Sequence, residues 1–197
     1  MDIRKENCVA AFEALGLKHA VSYFGDFSQH GIFAAIERGD ITPGDFHDAL
    51  HRLLPAEVTD AQIDQAFCKF LIGIPEHRLA ELERLGQHYN LCLLSNTNPI
   101  MWTSTIKEEF EKCGRNIEDY FPGGIVTSFE ANALKPEAKI FEFAIAKLGI
   151  KPTETLFLDD SQANLDGAAT LGFHTALVPT DTEFDTVVRR VLGEASL

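Results

Sequence analysis

From residue 75 onward the chain alternates short apolar runs with amphipathic stretches, and this alternation leaves few folds open. NLCLLS (90–95) is continuously apolar and then breaks into polar residues, as a buried parallel strand does. GGIVTS (123–128), TLFLDD (155–160) and GFHTALV (172–178) supply three more strand candidates. Between and around them lie helical patterns. PEHRLAELERLGQHY is opened by Pro75, and KPEAKIFEFAIAKLG (135–149) has Pro136 near its start and Gly149 at its end. SQANLDGAATLG and TEFDTVVRRVL follow. Strands that alternate with helices predict an α/β fold built on a doubly wound parallel sheet.

Residues 5–74 differ, with helical periodicity and no convincing strand. RKENCVAAFEALG sets Val9, Phe12 and Leu15 on one stripe and stops at Gly16. HGIFAAIERGD stops likewise at Gly39. ITPGDFHDALHRLL starts from Thr42 as N-cap with Pro43 behind it, and EVTDAQIDQAFCKFLIGI starts from Thr59 with Ile63, Phe67 and Phe70 on one face. A helical module over 1–74 and an α/β core over 75–197 are therefore expected. No internal repeat, linker or low-complexity stretch interrupts the 197 residues.

Charge narrows the partners. Lys+Arg 17 against Asp+Glu 30 gives a net charge of −13, which repels phosphate backbones and anionic lipid. Nucleic acid and membrane surfaces are excluded on that ground. An anionic substrate must then be held by local groups or a metal. No apolar run reaches the roughly 20 residues that span a bilayer, and MDIRKENCVAAFEALG has no signal-peptide core. Cys8, Cys68, Cys92 and Cys113 are scattered without a CxxC pair, and the two in apolar contexts, Cys68 in AFCKF and Cys92 in LCLLS, read as small core residues. A cytoplasmic protein is expected.

In an open parallel sheet, ligands bind beyond the carboxyl ends of the strands. The first core strand ends in Ser95-Asn96-Thr97-Asn98 and the third in Asp159-Asp160, while Lys135 opens the helix after FEANAL. A hydroxyl and helix-start amides suit phosphoryl oxygens, a lysine adds positive charge, and two acids suit a hard divalent cation. Taken singly, each has a plainer reading: Ser95-Asn96-Thr97 as a cap for the helix before Ile100, Lys135 as a solvated residue, Asp159-Asp160 as an N-cap. Their joint occurrence on consecutive strand exits favours a phosphate and metal site.

At these residues the sequence resembles the haloacid dehalogenase-like (HAD) hydrolase superfamily. LLSNTN, LKPEAKIF and LFLDDSQANLDGA look like its second, third and fourth motifs, and the helical module in front is similar to the small helical cap of one subfamily. The resemblance covers essentially the whole chain and is closest to sugar-phosphate phosphatases and the phosphatase domain of bifunctional epoxide hydrolases. It implies a Rossmann-like core and a Mg²⁺-dependent phosphomonoester hydrolase acting on a small phosphorylated metabolite. By carry-over, Ser95 would hydrogen-bond the phosphoryl group, Asn96 would contact substrate, and Lys135 would neutralise phosphoryl oxygens. Asp160 would bind Mg²⁺, Asp159 would be a supporting or alternate ligand, and Asn164 an orienting partner. These enzymes attack with an aspartate and hydrolyse the aspartyl-phosphate with water.

That aspartate closes the family's first motif, an apolar run followed by Asp-x-Gly or Asp-x-Asp, and residues 1–197 contain no such motif. Asp2 has no strand before it. Each missing buried Val, Ile or Leu forfeits roughly 1.5–3 kcal/mol against total stabilities of roughly 5–15 kcal/mol. Either an upstream segment supplies the strand, or the chain is a silent homologue that serves as a binding or regulatory protein. As given, the chain is expected not to turn over. The module's FGDFSQHGIF holds Phe24, Phe27, His30 and Phe33, with Glu37 a turn further on. His30 and Phe33 are candidates for contact with the organic part of a substrate, the alternative being that the phenylalanines form the module's core. His47 and His51, four apart on a helix, read as solvated. A metal-free 2-haloacid dehalogenase is the nearest rival, with Asp159-Asp160 against it.

Overall fold

Local signals fix most of the helices. The structure, a computed structural model, describes residues 1–25, 29–112, 114–180 and 182–193. The chain divides into two compact units, Met1–Asn132 and Ala133–Leu197.

The first unit opens with four helices, α1 (Lys5–Ala14), α2 (Gly31–Arg38), α3 (Pro43–His51) and α4 (Asp60–Cys68). Thr42 accepts from the Asp45 amide while Asp45 accepts from the Thr42 amide, and Thr59 and Gln62 repeat the arrangement. Each reciprocal cap satisfies two orphan donors and stabilises its helix by about 1 kcal/mol. The helices close on an aromatic core. Phe33 is fully buried, with the rings of Phe12, Phe24, Phe46, Phe67 and Tyr23 all within 5.3 Å of its own, centre to centre. Edge-to-face pairs of this kind stabilise by about 0.5–1.5 kcal/mol each beyond area burial. His47 is largely shielded rather than solvated as expected, whereas His51 stays about a third exposed. His47 Nε2 lies 2.7 Å from Asp64 Oδ1 and His51 Nε2 lies 2.6 Å from Asp60 Oδ1, which ties α3 to α4.

A strand also lies where none was expected. β1 (Asp2–Ile3) pairs antiparallel with β2 (Leu71–Gly73), and Arg78 donates to Asp2. Two and three residues are too few to show an alternating pattern in the sequence. After β2 come α5 (Glu76–Gly86), β3 (Leu93–Ser95), α6 (Pro99–Met101), a π-helical segment Trp102–Ile106, α7 (Lys107–Glu111), α8 (Ile117–Tyr120), β4 (Ile125–Thr127) and α9 (Ser128–Ala131). β3 and β4 run parallel, with Ser95 opposite Thr127, so their carboxyl ends lie side by side.

The second unit runs α10 (Ala138–Leu148), β5 (Leu156–Asp159), α11 (Gln162–Ala169), β6 (His174–Leu177) and α12 (Phe184–Leu192). β5 and β6 are parallel, with Asp159 opposite Leu177. The Phe141, Phe157 and Phe173 rings pack together in this unit. The parallel strands thus form two ladders, β3–β4 and β5–β6, each a two-stranded sheet among the described residues. Leu93, Leu94, Leu156, Phe157 and Leu158, expected as fully buried strand residues, are only partly buried. Cys8, Cys68 and Cys92 are free thiols, while Cys113 and Phe27 lie outside the described residues. Among the described residues no helix is long and apolar enough to cross a membrane.

Candidate active site

Of the candidate site residues, the charged ones, Lys135, Asp159 and Asp160, all lie in the second unit. β5 ends on Asp159, and α11 begins two residues later, so the turn 159–161 must satisfy both the strand end and the helix start. Asp159 does this with one oxygen: Oδ1 accepts from the Ser161 amide at 2.9 Å and from Asn164 Nδ2 at 2.8 Å. Its other oxygen, Oδ2, lies 2.7 Å from Lys135 Nζ. The Lys135 side chain is 11% exposed and that of Asp159 5%, so this ion pair is shielded from water. Lys135 Nζ also stands 5.6 Å from the centre of the Phe157 ring, a cation–π contact. Lys135 is thus not the solvated residue of the plainer reading. Asn164 directs its side-chain amide at Asp159.

With both Asp159 oxygens engaged, Asp160 is the carboxylate that reaches solvent. Partial desolvation, and then the neighbouring Asp159 charge, raise its pKa above the ordinary carboxylate value, with Lys135 pulling the other way. Two acids with one lysine leave a net negative charge that a cation would relieve. Among the described residues no three His, Cys, Asp or Glu side chains converge as a ready ligand set. A hard ion that keeps several waters and needs one or two carboxylates suits such a donor set, whereas a tetrahedral zinc site does not.

In the first unit, Ser95 ends β3 partly buried, its hydroxyl 3.5 Å from the Asn96 carbonyl oxygen. Asn98, not Ser95 to Thr97, caps the next helix: its Oδ1 accepts from the Met101 amide at 2.9 Å. Asn98 Nδ2 is buried without a hydrogen-bond partner. The Thr97 amide donates to Ser128 Oγ at 3.0 Å. His30 is exposed at the start of α2, and Phe33 belongs to the aromatic core rather than to a contact surface. Glu37, behind them on α2, is only 8% exposed; burial pushes its pKa up to about 8, partly countered by a hydrogen bond with Gln29. Sequence reasoning missed Ser128. The one signal for it was a second hydroxyl at a parallel strand's carboxyl end, in GGIVTS.

A strand end bearing a lysine-paired aspartate, a second outward aspartate and an orienting asparagine fits a phosphoryl-handling hydrolase. The model of the haloacid dehalogenase-like hydrolase family matches residues 9–172, and the chain belongs to that family. It is 33% identical over 175 residues, 89% of this chain and 84% of the relative, to the D-ribitol-5-phosphate phosphatase of Bacteroides thetaiotaomicron. Among solved structures it is similar to an aspartate-to-alanine variant of a HAD family enzyme from the same organism, in complex with magnesium and inorganic phosphate. That likeness has a TM-score of 0.89 at 34% identity and covers 95% of this chain and 93% of the other. A HAD-like family hydrolase from Porphyromonas gingivalis matches with a TM-score of 0.87 at 31% identity, over 98% and 92% of the two chains. The Rossmann-like α/β fold expected from the strand and helix order is therefore the fold of this chain.

Proposed function

We propose that this hydrolase handles the phosphomonoester of a small polyol or sugar with the help of Mg²⁺. The observation that carries the reading is the division of labour between two adjacent acids: Asp159 is fixed by Lys135, Ser161 and Asn164, and Asp160 faces outward beside it. Asp160 would ligate the ion, with Asp159 orienting it from behind, and Asn164 keeps Asp159 in place. A bound Mg²⁺ supplies charge stabilisation to phosphoryl oxygens. Lys135, already held against an acid, contributes a positive charge to the same oxygens without needing to be reoriented. Ser95 donates its hydroxyl to a phosphoryl oxygen, and Asn96 beside it contacts substrate. The name of the Bacteroides relative and the magnesium and phosphate in its compatriot structure support the same class of ligand. His30, exposed at the rim of the helical module, is the proposed contact to the organic part.

The family chemistry transfers the phosphoryl group to an aspartate, forming a carboxylate O–P bond as the P–O bond to the alcohol breaks, and water then releases phosphate. Residues 1–197 hold no Asp-x-Gly or Asp-x-Asp, so the polypeptide 1–197 is proposed to bind Mg²⁺ and phosphate without turnover. Calorimetric titration with inorganic phosphate, with and without Mg²⁺, tests the first part. Mg²⁺-dependent binding that disappears in Asp160→Asn is expected; equal phosphate binding with and without Mg²⁺ overturns the reading. Incubation with D-ribitol 5-phosphate tests the second, since sustained phosphate release sensitive to Asp160→Asn would disprove the lack of turnover.

A further inference from the structure

The last carbonyls of an α-helix have no partner within the helix and must find one elsewhere. In α2 they find it some 90 residues away in sequence. Ser128 Oγ lies 2.6 Å from the Glu37 carbonyl oxygen, and Asn132 Nδ2 donates to the Gly39 carbonyl oxygen at 3.0 Å. Ser128 is fully buried, and the same hydroxyl accepts from the Thr97 amide at 3.0 Å and lies 2.9 Å from the Thr97 carbonyl oxygen. One hydroxyl therefore meets three backbone groups: it accepts from the Thr97 amide, in the loop leaving β3, and its single proton is shared between the Thr97 carbonyl and a carbonyl of α2. Thr97 is two residues beyond Ser95, and Asn96 stands between them.

We propose that Ser128 is a positioning residue that fixes the Ser95–Asn96 segment in its phosphate-binding conformation and fastens that segment to α2. This rests on the reading that Ser95 binds the phosphoryl group. The geometry favours positioning over mere packing for two reasons. A buried hydroxyl that only filled space would need one partner, and this one engages two segments of chain that nothing in the local sequence brings together. Its grip on Thr97 also fixes the peptide groups on which the direction of the Ser95 and Asn96 side chains depends. Without it, a buried amide loses its acceptor and two carbonyl oxygens lose the proton they share, and the loop must rearrange to satisfy them.

The test measures phosphate affinity in the presence of Mg²⁺, and thermal stability, for the full chain and four variants. Ser128→Ala is expected to weaken phosphate binding about tenfold. Val126→Ala, a fully buried change on the neighbouring strand, is expected to lower the Tm while leaving the affinity within about twofold. Should Ser128→Ala fail to fold, Ser128→Cys, of nearly the same shape but a weak hydrogen-bonding group, carries the test with the same expected loss. Wild-type affinity in the folded Ser128 variant overturns the inference, as does an equal loss in Val126→Ala, which would mark the effect as one of stability. Ser95→Ala separates the two levels: if it binds phosphate as well as the wild type does, the reading of Ser95 fails, and if it loses binding while the Ser128 variant does not, only the positioning role fails.

Discussion

Lys135 Nζ and Asp159 Oδ2 stand 2.7 Å apart with both side chains almost wholly out of water, a pair that spans 24 residues of sequence. Removing one partner of such a pair leaves the other charge buried and uncompensated, which costs about 3–5 kcal/mol. Lys135→Met is therefore expected to destabilise the fold by about 3 kcal/mol in urea unfolding, towards the low end because Ser161 and Asn164 still hold the other Asp159 oxygen. The double variant Lys135→Met with Asp159→Asn is expected to recover part of the loss. Additive losses in the two single variants would refute the pairing as the source of the effect.

Asp160 sits beside Asp159 and is partly desolvated, so in the absence of a cation its charge is held at a cost to stability. Asp160→Asn removes that charge. The metal-free variant is expected to melt at a higher temperature than metal-free wild type, and added Mg²⁺ to raise the wild-type Tm but not that of the variant. A Mg²⁺-induced shift that survives the substitution would place the ion elsewhere.

How much of this was legible in the sequence depends on the span of the interaction. Thr42-Pro43, Thr59 and Gly39 mark helix boundaries because caps and C-terminal glycines act within four residues, and each stands where the pattern put it. The βα alternation was equally plain, since each apolar run announces its own strand. The chemistry of the site was legible as residue types at strand ends, but the assignment of partners was not. Which of two adjacent aspartates meets Lys135 depends on how β5 turns into α11, and no local pattern encodes that. Ser128 was invisible for the same reason: a serine after a strand looks like a helix start, and its partners lie 31 and 91 residues away. Phe33 illustrates the converse. A loop with several phenylalanines reads equally as a contact surface or a core, and only the packing of five rings around it decides.

Gly39 and Gly149 both end helices with positive φ, at 81° and 64°, yet their surroundings differ. A Cβ on Gly149 would meet nothing within 4 Å, whereas one on Gly39 would lie 2.3 Å from the Phe129 carbonyl oxygen. Gly149→Ala is therefore expected to cost only the left-handed backbone penalty of about 1–2 kcal/mol. Gly39→Ala must in addition push α2 away from the segment that holds Ser128 and Asn132. Its loss in urea unfolding is expected to exceed that of Gly149→Ala by at least about 1 kcal/mol. Equal losses would mean that the close approach of α2 to Phe129 is relieved at no cost.

Glu37 makes the stability of the chain depend on pH in a direction opposite to that of a salt-bridged carboxylate. Its pKa rises from 4.5 to about 8, chiefly through burial, so the folded state keeps a proton that the unfolded chain has released. Below pH 4.5 both states hold the proton and Glu37 costs nothing. Between pH 4.5 and about 8 the unfolded state is favoured by up to about 1.4 kcal/mol per pH unit, and above that range the effect levels off. Urea midpoints of the wild type and Glu37→Gln across pH 5 to 8 isolate this contribution, because other titrating groups act on both proteins alike. The wild type is expected to lose stability relative to the variant as the pH rises, and the variant to be the more stable of the two at pH 8. A constant difference across the range would mean that Glu37 is ionised in the folded protein, with a partner that offsets its burial.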